Sequence, residues 1–361
     1  MIGEMKKFQR ALLAWYDKNR RDLPWRIPFS RPARGSCPTT PHPYQVLLSE
    51  AMLQQTQVAT VIPYFHRFLA RFPTLSDLAS ADQQEVLRLW QGLGYYSRAR
   101  NLHACAQKVM TDHDGEIPSE VDALLNLPGI GRYTAGAIAS LAYDRRAPIL
   151  DGNVMRVLCR IDQIETDPRE RAIQARLWSR AKEILPQRRV GDFNSALMEL
   201  GAMVCTPKNP QCPVCPVNQH CQAAASGIQD RIPIPKKSKP IPRHVRYVLC
   251  IRHSQHFLIE QRPSKGRWGG MWQFKTLQAT KPRLTTSQLK AHLGLTVSPP
   301  RRLGVIRHSL THRHYEFDAY EANLLSHRTI GQVWVTLGEL DSYPLSKPQL
   351  SIAKLLKVGP V

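Results

Sequence analysis

Residues 127–135 read LPGIGRYTA, and this run decides the fold of the N-terminal part of the 361-residue chain. It joins the apolar end of one helix to a Gly-x-Gly turn and then to the start of a second helix. Glycines let such a turn come close to another backbone, and the second helix offers unpaired N–H groups to an anion. Taken alone the run is weak, because a plain connection between two helices can have the same residues. Its weight comes from the segments that follow it.

Four cysteines stand close together downstream, in the run CTPKNPQCPVCPVNQHC at 205–221. Thiolates at this density suit a tetrahedral zinc ion or a cubane iron–sulfur cluster, and the residues alone leave both open. Disulfides are disfavoured because the chain has the character of an intracellular protein. The loop is also basic and rich in proline. We expect a stiff surface loop that meets phosphates; a structural zinc knot without nucleic acid is the alternative.

The composition points to a polyanionic partner. The chain has 50 Lys and Arg against 28 Asp and Glu, a net charge of +22, and 42% hydrophobic residues, enough for real cores. Such an excess favours nucleic acid, although ribosomal and membrane-surface proteins share it. We see no secretion signal and no apolar run of the ~20 residues that a membrane span needs. We therefore expect no membrane association, and a cytoplasmic, nucleoid-associated bacterial protein.

The chain divides by pattern into two domains and a linker. Residues 1–225 have helical periodicity with almost no strand-like alternation, which predicts an all-α region. Residues 226–243 include RIPIPKKSKPIPR, an extended cationic linker. Residues 244–361 have strand composition with two short helices, which predicts an α+β domain. Helices are expected near 4–23, 45–69 with a break near Pro63, 76–90, 97–113, 119–125, 132–143, 152–162, 168–184, 192–204, 286–293 and 346–357. Strands are expected at 247–251, 257–260, 303–308, 315–322 and 332–336.

Several motifs in fixed order resemble a known superfamily. The run at 127–135, LDGNV at 150–154 and the four-cysteine loop together resemble the endonuclease III superfamily of helix-hairpin-helix base-excision glycosylases. LSEAMLQQTQ at 48–57 and WQGLGYYSRAR at 90–100 resemble, more narrowly, adenine DNA glycosylases of the MutY type, as does DLPWR at 22–26. The resemblance implies a multidomain protein. Its parts are an all-α helix-hairpin-helix body with an iron–sulfur loop and an α+β NUDIX-like C-terminal domain.

The resemblance also implies the cofactor and the substrate. The cysteine spacing matches the family's [4Fe-4S] loop, so Cys205, Cys212, Cys215 and Cys221 become the expected cluster ligands in place of zinc ligands. The family excises adenine mispaired with 8-oxoguanine or guanine in double-stranded DNA, and we expect this chain to act so as a monomer. The rival interpretations are an endonuclease III-like glycosylase–lyase and a non-catalytic DNA-binding metalloprotein.

Two carboxyl groups are the candidates for the chemistry. Cleavage of an N-glycosidic bond needs a protonated acid for the leaving base and an ionised carboxylate for the sugar cation, the division used by glycosidases. Glu50 stands in an apolar helical run, where burial raises a carboxyl pKa. Asp151 is the second candidate, although its position also suits the N-cap of the helix at 152–162. In the family the matching Glu protonates adenine N7, and the matching Asp stabilises the oxocarbenium ion through a transient adduct.

Tyr133 separates this chain from the lyases. In endonuclease III-like enzymes the matching position holds a lysine that forms a Schiff base with the sugar, and a phenol cannot do this. The resemblance implies that Tyr133 hydrogen-bonds in the active site beside Asn153; packing into the helix interface is the alternative.

The expected DNA contacts follow from the need to expose the base. The target must leave the stack, and side chains must fill the gap. The resemblance implies Gln55 and one tyrosine of the pair at 95–96 for this, and we choose Tyr96. Gly129 and Gly131 are expected in the phosphate-binding hairpin, and Arg26 is expected to contact DNA.

The second domain is expected to bind and not to hydrolyse. RPSKGRWGGMW at 262–272 fits the pattern of the family's C-terminal domain, while the helix at 286–293 has no carboxylate to hold magnesium. In the family a Phe-Ser-His-like loop recognises 8-oxoguanine, and this chain has Leu310, Thr311 and His312 there. The Thr311 hydroxyl can accept the N7–H of the oxidised base. A solvated basic strand is the alternative.

Three departures from the family bear on substrate detail. The loop at 27–43 is longer than usual and contains Cys37, expected as a free thiol outside the cluster. Ser195 stands where relatives carry Gln or Glu near the adenine.

Overall fold

The chain forms two compact units, and each is described by itself. One unit comprises Met1–Ser80 and Asn101–Lys237, and the other comprises Ala81–Arg100 and Ser238–Val361. Within the described residues, no helix has the length and apolar character needed to cross a membrane. The residues that the computed structural model describes are 2–26, 40–235, 240–279, 295–325 and 331–358. The predicted helix at 286–293 and the predicted thiol Cys37 therefore lie outside the described residues.

The first unit is built from helices, in agreement with the periodicity of the sequence. Short 3-10 turns at Pro24–Arg26, Cys212–Val214, Asn218–His220 and Gln229–Arg231 accompany them. Among the described residues before the linker, the helices are α1 (Ile2–Asn19), α2 (Pro43–Leu53), α3 (Val58–Arg71), α4 (Leu75–Ser80), α5 (Gln83–Leu89), α6 (Ser97–Asp112), α7 (Val121–Leu125), α8 (Arg132–Tyr143), α9 (Gly152–Ile161), α10 (Arg171–Glu183), α11 (Val190–Met203) and α12 (Gln222–Ala225).

The break in the predicted 45–69 helix lies elsewhere than expected. The prediction of a break near Pro63 is wrong, because α3 continues through that residue. The chain instead leaves helical geometry between α2 and α3, where Gln55 adopts a left-handed φ of 60° and Gln57 is extended. The turn ends α2 just after Glu50, which leaves that residue in the last full turn of a buried helix.

The core of the first unit lies among α1, α9, α10 and α11. Leu12, Leu158 and Phe193 are fully buried in one continuous apolar cluster. Burial of aliphatic and aromatic side chains of this size contributes about 1.5–3 kcal/mol each. This core fixes the start of α9 against α11, and both helices carry residues of the site described below.

The second unit contains a six-stranded mixed sheet. Successive side chains of the central strand β1 point to opposite faces, so Val248 and Cys250 join one apolar cluster while Leu249 and Ile251 join another. Both faces of the sheet are therefore covered, and helix α13 (Lys347–Val358) packs on the first. The strand order is β4-β5-β1-β3-β2-β6, with β1 and β5 parallel and the other pairs antiparallel. The strands are β1 (Arg243–His253), β2 (His256–Gln261), β3 (Trp272–Gln278), β4 (Arg301–Leu310), β5 (Arg313–Asn323) and β6 (Val333–Thr336).

Residues 81–100 group with the sheet, although the sequence analysis places them in the helical domain. The indole N–H of Trp272 donates to the side chain of Gln84 at 3.1 Å, and Arg100 donates to the carbonyl of Gly269 at 2.7 Å. These bonds join α5 and the start of α6 to the segment that precedes β3. Periodicity along the chain does not reveal such long-range bonds, and the domain boundaries given above stay predictions.

Candidate active site

A large cavity in the first unit collects the residues that the sequence analysis proposed for catalysis. Its volume is about 1220 Å³, and Glu50, Tyr133, Asp151, Asn153 and Ser195 all line it. These residues come from α2, α8, the start of α9 and α11, so four separate parts of the sequence meet around one space. This volume exceeds the ~300–1,000 Å³ that is typical of small-molecule sites.

Glu50 is buried at one wall of the cavity. Its side chain lies on α2 among apolar neighbours, and the residue is 5% exposed. Burial raises the pKa of the Glu50 carboxyl to about 7, while a hydrogen bond from Tyr133 lowers it and the charge of Asp151 raises it. The two carboxyl groups are therefore close enough to repel each other. At neutral pH a large fraction of Glu50 carries a proton and can donate it.

Asp151 is held at the first turn of α9 as its N-cap. The Asp151 carboxylate accepts from the backbone N–H of Val154 at 2.7 Å and from Asn153 Nδ2 at 3.2 Å. Burial raises the pKa of Asp151 above its usual value, and the hydrogen bonds from Val154 and Asn153 act in the opposite direction. Donors directed at both carboxylate oxygens favour the ionised form. The capping position and the place at the cavity are thus held by the same residue.

Tyr133 lies where the helix-hairpin-helix turn enters α8. Its hydroxyl approaches the sulfur of Met198 at 3.4 Å and hydrogen-bonds to Glu50. Burial and the neighbouring carboxylates of Glu50 and Asp151 raise the pKa of this phenol well above its usual value. Tyr133 is therefore neutral, and it is a donor to the carboxyl group of Glu50.

The orientation of Asn153 is fixed from behind by Arg156. Arg156 Nη2 donates to Asn153 Oδ1 at 2.9 Å, which turns the amide nitrogen toward Asp151. The same guanidinium donates to the backbone oxygens of Gly201 at 2.7 Å and Cys205 at 2.8 Å. One side chain thus joins the N-terminal end of α9 to the start of the cysteine loop.

A buried ion-pair network at the cavity was not foreseen from the sequence. Glu199 has a side chain that is 1% exposed; Arg21 binds it through two hydrogen bonds of 2.7 and 2.8 Å, and Arg26 through one of 2.9 Å. Burial raises the pKa of Glu199, but the two arginines outweigh burial and hold this pKa below its usual value. The sequence did show Glu199 as a single acidic residue within an apolar run of α11. It did not show the arginines that pair with Glu199, because they lie far away in sequence. The side chain of Arg26 is 17% exposed. The DNA group that Arg26 is predicted to contact would therefore have to enter the cavity.

The hairpin glycines occupy the positions that the motif requires. Gly129 has φ +76°, and a Cβ there would lie 2.6 Å from Cβ of Asn101, so only glycine fits. Gly131 is the N-cap of α8. Gln55, in the turn after α2, is exposed and lines the mouth of the cavity.

Of the two adjacent tyrosines, the exposed one is not the one chosen from the sequence. Tyr96 is 6% exposed, and its hydroxyl accepts from the backbone N–H of Gly92. Tyr95 is 44% exposed, with a left-handed φ of 48° that turns its ring outward. The Tyr96 ring thus fills a core, whereas the Tyr95 ring is exposed and has the Arg98 guanidinium 5.4 Å from its centre; which of the two tyrosines contacts DNA stays a prediction.

The residues proposed for 8-oxoguanine lie at the tip of the β4–β5 hairpin in the second unit. Thr311 and His312 are exposed in the turn that follows Leu310. The Thr311 hydroxyl is 2.7 Å from the hydroxyl of Tyr95, which belongs to the same unit. The structure therefore brings a predicted recognition residue next to the exposed tyrosine.

The four cysteines surround a tight loop with the donors that a cluster uses. The chain bends twice between them through short 3-10 turns, and backbone N–H groups of Val217 and of Ala223 and Ala224 point at the sulfurs of Cys215 and Cys221. Arg160 Nη1 lies 3.2 Å from the sulfur of Cys205. N–H donors to sulfur are the usual environment of cluster thiolates.

Ionisation of the Cys215 thiol needs a positive charge beside it. Burial raises the pKa of Cys215 to about 12, and the neighbouring cysteines raise it further, so its thiolate forms only next to a strong positive charge such as iron. Within the described ranges, no three His, Cys, Asp or Glu side chains are close enough to hold one metal ion. In a [4Fe-4S] cluster each iron takes one thiolate, which spaces the sulfurs more widely than zinc does.

Comparisons with known proteins agree with this arrangement. Residues 48–183 match the HhH-GPD superfamily of base excision DNA repair proteins, residues 205–221 match the iron–sulfur binding domain of endonuclease III, and residues 246–355 match a NUDIX domain. A thermostable thymine-DNA glycosylase has a similar structure, with a TM-score of 0.53 and 28% identity over 62% of this chain and 98% of that one. The helical body, the NUDIX-like domain and the [4Fe-4S] loop expected from the sequence are thereby confirmed.

Curated relatives make the family explicit. The human adenine DNA glycosylase is 35% identical, over 96% of this chain and 73% of the relative. The enzyme of the same name from Buchnera aphidicola of Acyrthosiphon pisum is 36% identical, over 74% of this chain and 73% of the relative. Enzymes of this family remove adenine from DNA in base excision repair. This chain belongs to the adenine DNA glycosylases.

Proposed function

We propose that this enzyme removes adenine paired with 8-oxoguanine or guanine, by hydrolysis of the N-glycosidic bond and without cutting the strand. The observation that carries the proposal is the meeting of Glu50, Tyr133 and Asp151 in one cavity. A protonated acid and an ionised carboxylate face the same space, and this pairing suits a reaction with an oxocarbenium-like transition state.

Each carboxyl group has one task in the proposed reaction. Glu50 gives its proton to N7 of adenine, and the base leaves with the bonding electrons of the glycosidic bond. Asp151 stabilises the positive sugar that remains, through a transient adduct that water then replaces. Tyr133 holds the Glu50 carboxyl, and Asn153 holds Asp151. The products are free adenine and an abasic site.

The proposed reaction requires the adenine to leave the duplex. The cavity is large enough for a purine, and Gln55 lines its mouth. We assign Gln55 and Tyr95 to the gap that the flipped base leaves, because both are exposed on turns with a left-handed residue. Arg26 and Ser195 face the base inside the cavity, and Ser195 contacts it through water. Gly129 and Gly131 hold a DNA phosphate on the hairpin.

The second unit is assigned to the base opposite. Only the oxidised guanine has an N7–H, and the Thr311 hydroxyl accepts it while His312 contacts the same base. The hydrogen bond between Tyr95 and Thr311 supports this assignment, because it joins the residue proposed for stacking to the residue proposed for recognition. When bound, the cluster holds the basic loop 205–221 rigid for DNA phosphates, with Cys205, Cys212, Cys215 and Cys221 as ligands. We also propose that the enzyme is a monomer and acts in the bacterial cytoplasm, associated with the nucleoid.

Mispair preference is tested by single-turnover excision on duplexes with adenine opposite 8-oxoguanine, guanine, thymine or cytosine. We expect the fastest excision opposite 8-oxoguanine, then guanine, and little opposite the pyrimidines. Equal rates on all four duplexes would remove the recognition role of Thr311 and His312.

The lyase alternative is tested by borohydride. A Schiff-base lyase is trapped as a covalent lysine–DNA adduct, whereas Tyr133 has no amine to form one. We expect no trapped adduct and strand cleavage only after alkali. A stoichiometric adduct would favour the glycosylase–lyase.

A further inference from the structure

A second cavity, in the sheet unit, has no role in the proposed reaction. We call it the arginine cavity after Arg246, Arg262 and Arg267. Its volume is about 60 Å³. That is room for a few waters or one tetrahedral oxyanion, because a water takes about 30 Å³ of the liquid. A purine ring does not fit. The other lining residues are Trp268, Gln273, Thr276, Tyr315, Phe317, Ser346 and Gln349.

The arginine cavity carries positive charge without a matching acid. Among the residues that the structure describes, no Asp or Glu lines it. The nearest acid, Glu260, already accepts from Lys275 at 2.7 Å and from Gln273 at 2.9 Å. Burial lowers the pKa of Arg262, and the charges of Arg246 and Arg267 lower it further, while Glu260 opposes them. Three guanidinium groups therefore repel one another around a small space.

Two of these guanidinium groups are held in place by the protein. Arg262 donates to the carbonyl of Arg267 at 3.1 Å and to the side-chain oxygen of Gln273 at 2.7 Å. Arg267 donates to the hydroxyl of Tyr315, and its guanidinium lies 5.2 Å from the centre of that ring. These contacts hold the guanidinium donors in a fixed cluster although their charges repel one another. Such a cluster is typical of an anion-binding site.

Arg246 is the guanidinium left for a ligand. It is half-buried on β1 beside β5, and within the described ranges its side chain has no hydrogen bond or ion pair. A guanidinium has five N–H donors in a planar fork that matches phosphate oxygens. Ser346 also lines the cavity and adds a hydroxyl group, whereas the Thr276 hydroxyl already donates to the carbonyl of Phe274 at 2.8 Å.

We propose that the arginine cavity binds a phosphate group, held by Arg246, Arg262 and Arg267. A doubly charged tetrahedral anion fits both the volume and the three positive charges. The phosphate comes either from a small molecule, such as inorganic phosphate or a nucleotide terminus, or from the DNA backbone. The two sources share one chemistry and differ in measurable ways.

The test uses the full-length holoprotein and the variant Arg246→Gln, which removes no contact within the described structure. Arg252→Gln is the matched control, because Arg252 lies on the same strand but pairs with Glu321 outside the cavity. The first arm titrates inorganic phosphate by calorimetry at constant ionic strength in chloride. The second arm measures affinity for an undamaged duplex against salt concentration.

A small-molecule site gives saturable phosphate heats that weaken at least tenfold in Arg246→Gln and not in Arg252→Gln. A DNA-backbone site gives no saturable heat, but the salt slope for duplex binding falls by about one in Arg246→Gln alone. Arg246→Lys keeps the charge and restores the slope, and Arg246→Met, which removes the charge but keeps an apolar stem, replaces the Gln variant if that variant melts early. The proposal is overturned if Arg246→Gln equals the wild type in both arms, or if Arg252→Gln changes as much.

Discussion

Arg156 Nη2 donates to Asn153 Oδ1 at 2.9 Å, and this bond sets which end of the Asn153 amide faces Asp151. An amide turned the other way would present its oxygen to the carboxylate, and the two oxygens would repel each other. The guanidinium prevents this, and its Nε donates to the carbonyl of Cys205. The start of α9 is therefore positioned together with the first cysteine of the cluster loop.

Substitution of Arg156 by Gln is expected to slow excision more than it weakens DNA binding. Loss of a hydrogen bond to a charged group costs about 1.5–3 kcal/mol, or roughly ten- to hundredfold in rate. Single-turnover rate, duplex affinity and iron content are measured together. Arg169→Gln is the control, because Arg169 pairs with Asp167 near the protein surface. A wild-type rate in an Arg156→Gln protein with full iron content would contradict the positioning role.

Tyr95 and Tyr96 are expected to differ in kind when each is changed to Ala. Tyr96→Ala removes a buried ring and lowers the free energy of unfolding by about 3–5 kcal/mol. Tyr95→Ala removes an exposed ring, so we expect a wild-type melting temperature with slower excision. Thermal melting and single-turnover assays on both variants decide. A stable Tyr96→Ala protein with lost excision would reverse the assignment.

Glu50→Gln is expected to stabilise the protein at alkaline pH. The folded-state pKa of Glu50 is raised from 4.5 to about 7, so the unfolded chain releases this proton first and stability falls as pH rises between these values. Above pH 7 the buried charge costs at most about 3 kcal/mol, which a neutral Gln avoids. Melting at pH 5 and pH 8 checks this. If the variant melted at a lower temperature than the wild type at pH 8, the prediction would be wrong, because the folded protein would then stabilise the ionised Glu50 carboxylate.

Tyr133→Phe is expected to move the titration of Glu50 upward. The hydrogen bond from Tyr133 lowers the Glu50 pKa, and a phenyl ring cannot supply it. The pH above which excision slows should therefore rise, even if the maximal rate falls. Pre-steady-state rates across pH for the variant and the wild type provide the comparison. A downward shift would mean that the phenol stabilises the protonated acid instead.

Local sequence patterns predicted much of the candidate active site and of the cysteine loop. The apolar neighbours of Glu50 indicated burial, and the cysteine spacing together with the resemblance indicated the cluster. These features reside in short segments, where helical period and ligand spacing can be read directly. The structure brings Glu50, Tyr133, Asp151 and Asn153 together in one cavity. Their roles in the reaction stay predictions.

What the sequence missed depends on contacts between distant segments. Glu199 is visible as an acid in an apolar helix, but only the fold brings Arg21 to it across 178 positions. Strand β3 was not predicted, although its first residues alternate between apolar and polar side chains (WQFKTLQ). The glycines that precede it are typical of a loop. The choice between Tyr95 and Tyr96 depends on left-handed backbone at Gly94 and Tyr95, which no periodicity reveals.

The central claim is that buried Glu50 acts as the acid while Asp151 carries the charge. The direct measurement is the pH dependence of single-turnover excision of adenine opposite 8-oxoguanine, by the wild type, Glu50→Gln and Asp151→Asn. We predict a wild-type rate that falls tenfold per unit above about pH 7, and losses of a hundredfold or more in both variants. A wild-type rate that stays level to pH 9, or a Glu50→Gln enzyme that excises adenine as fast as the wild type, would contradict the account.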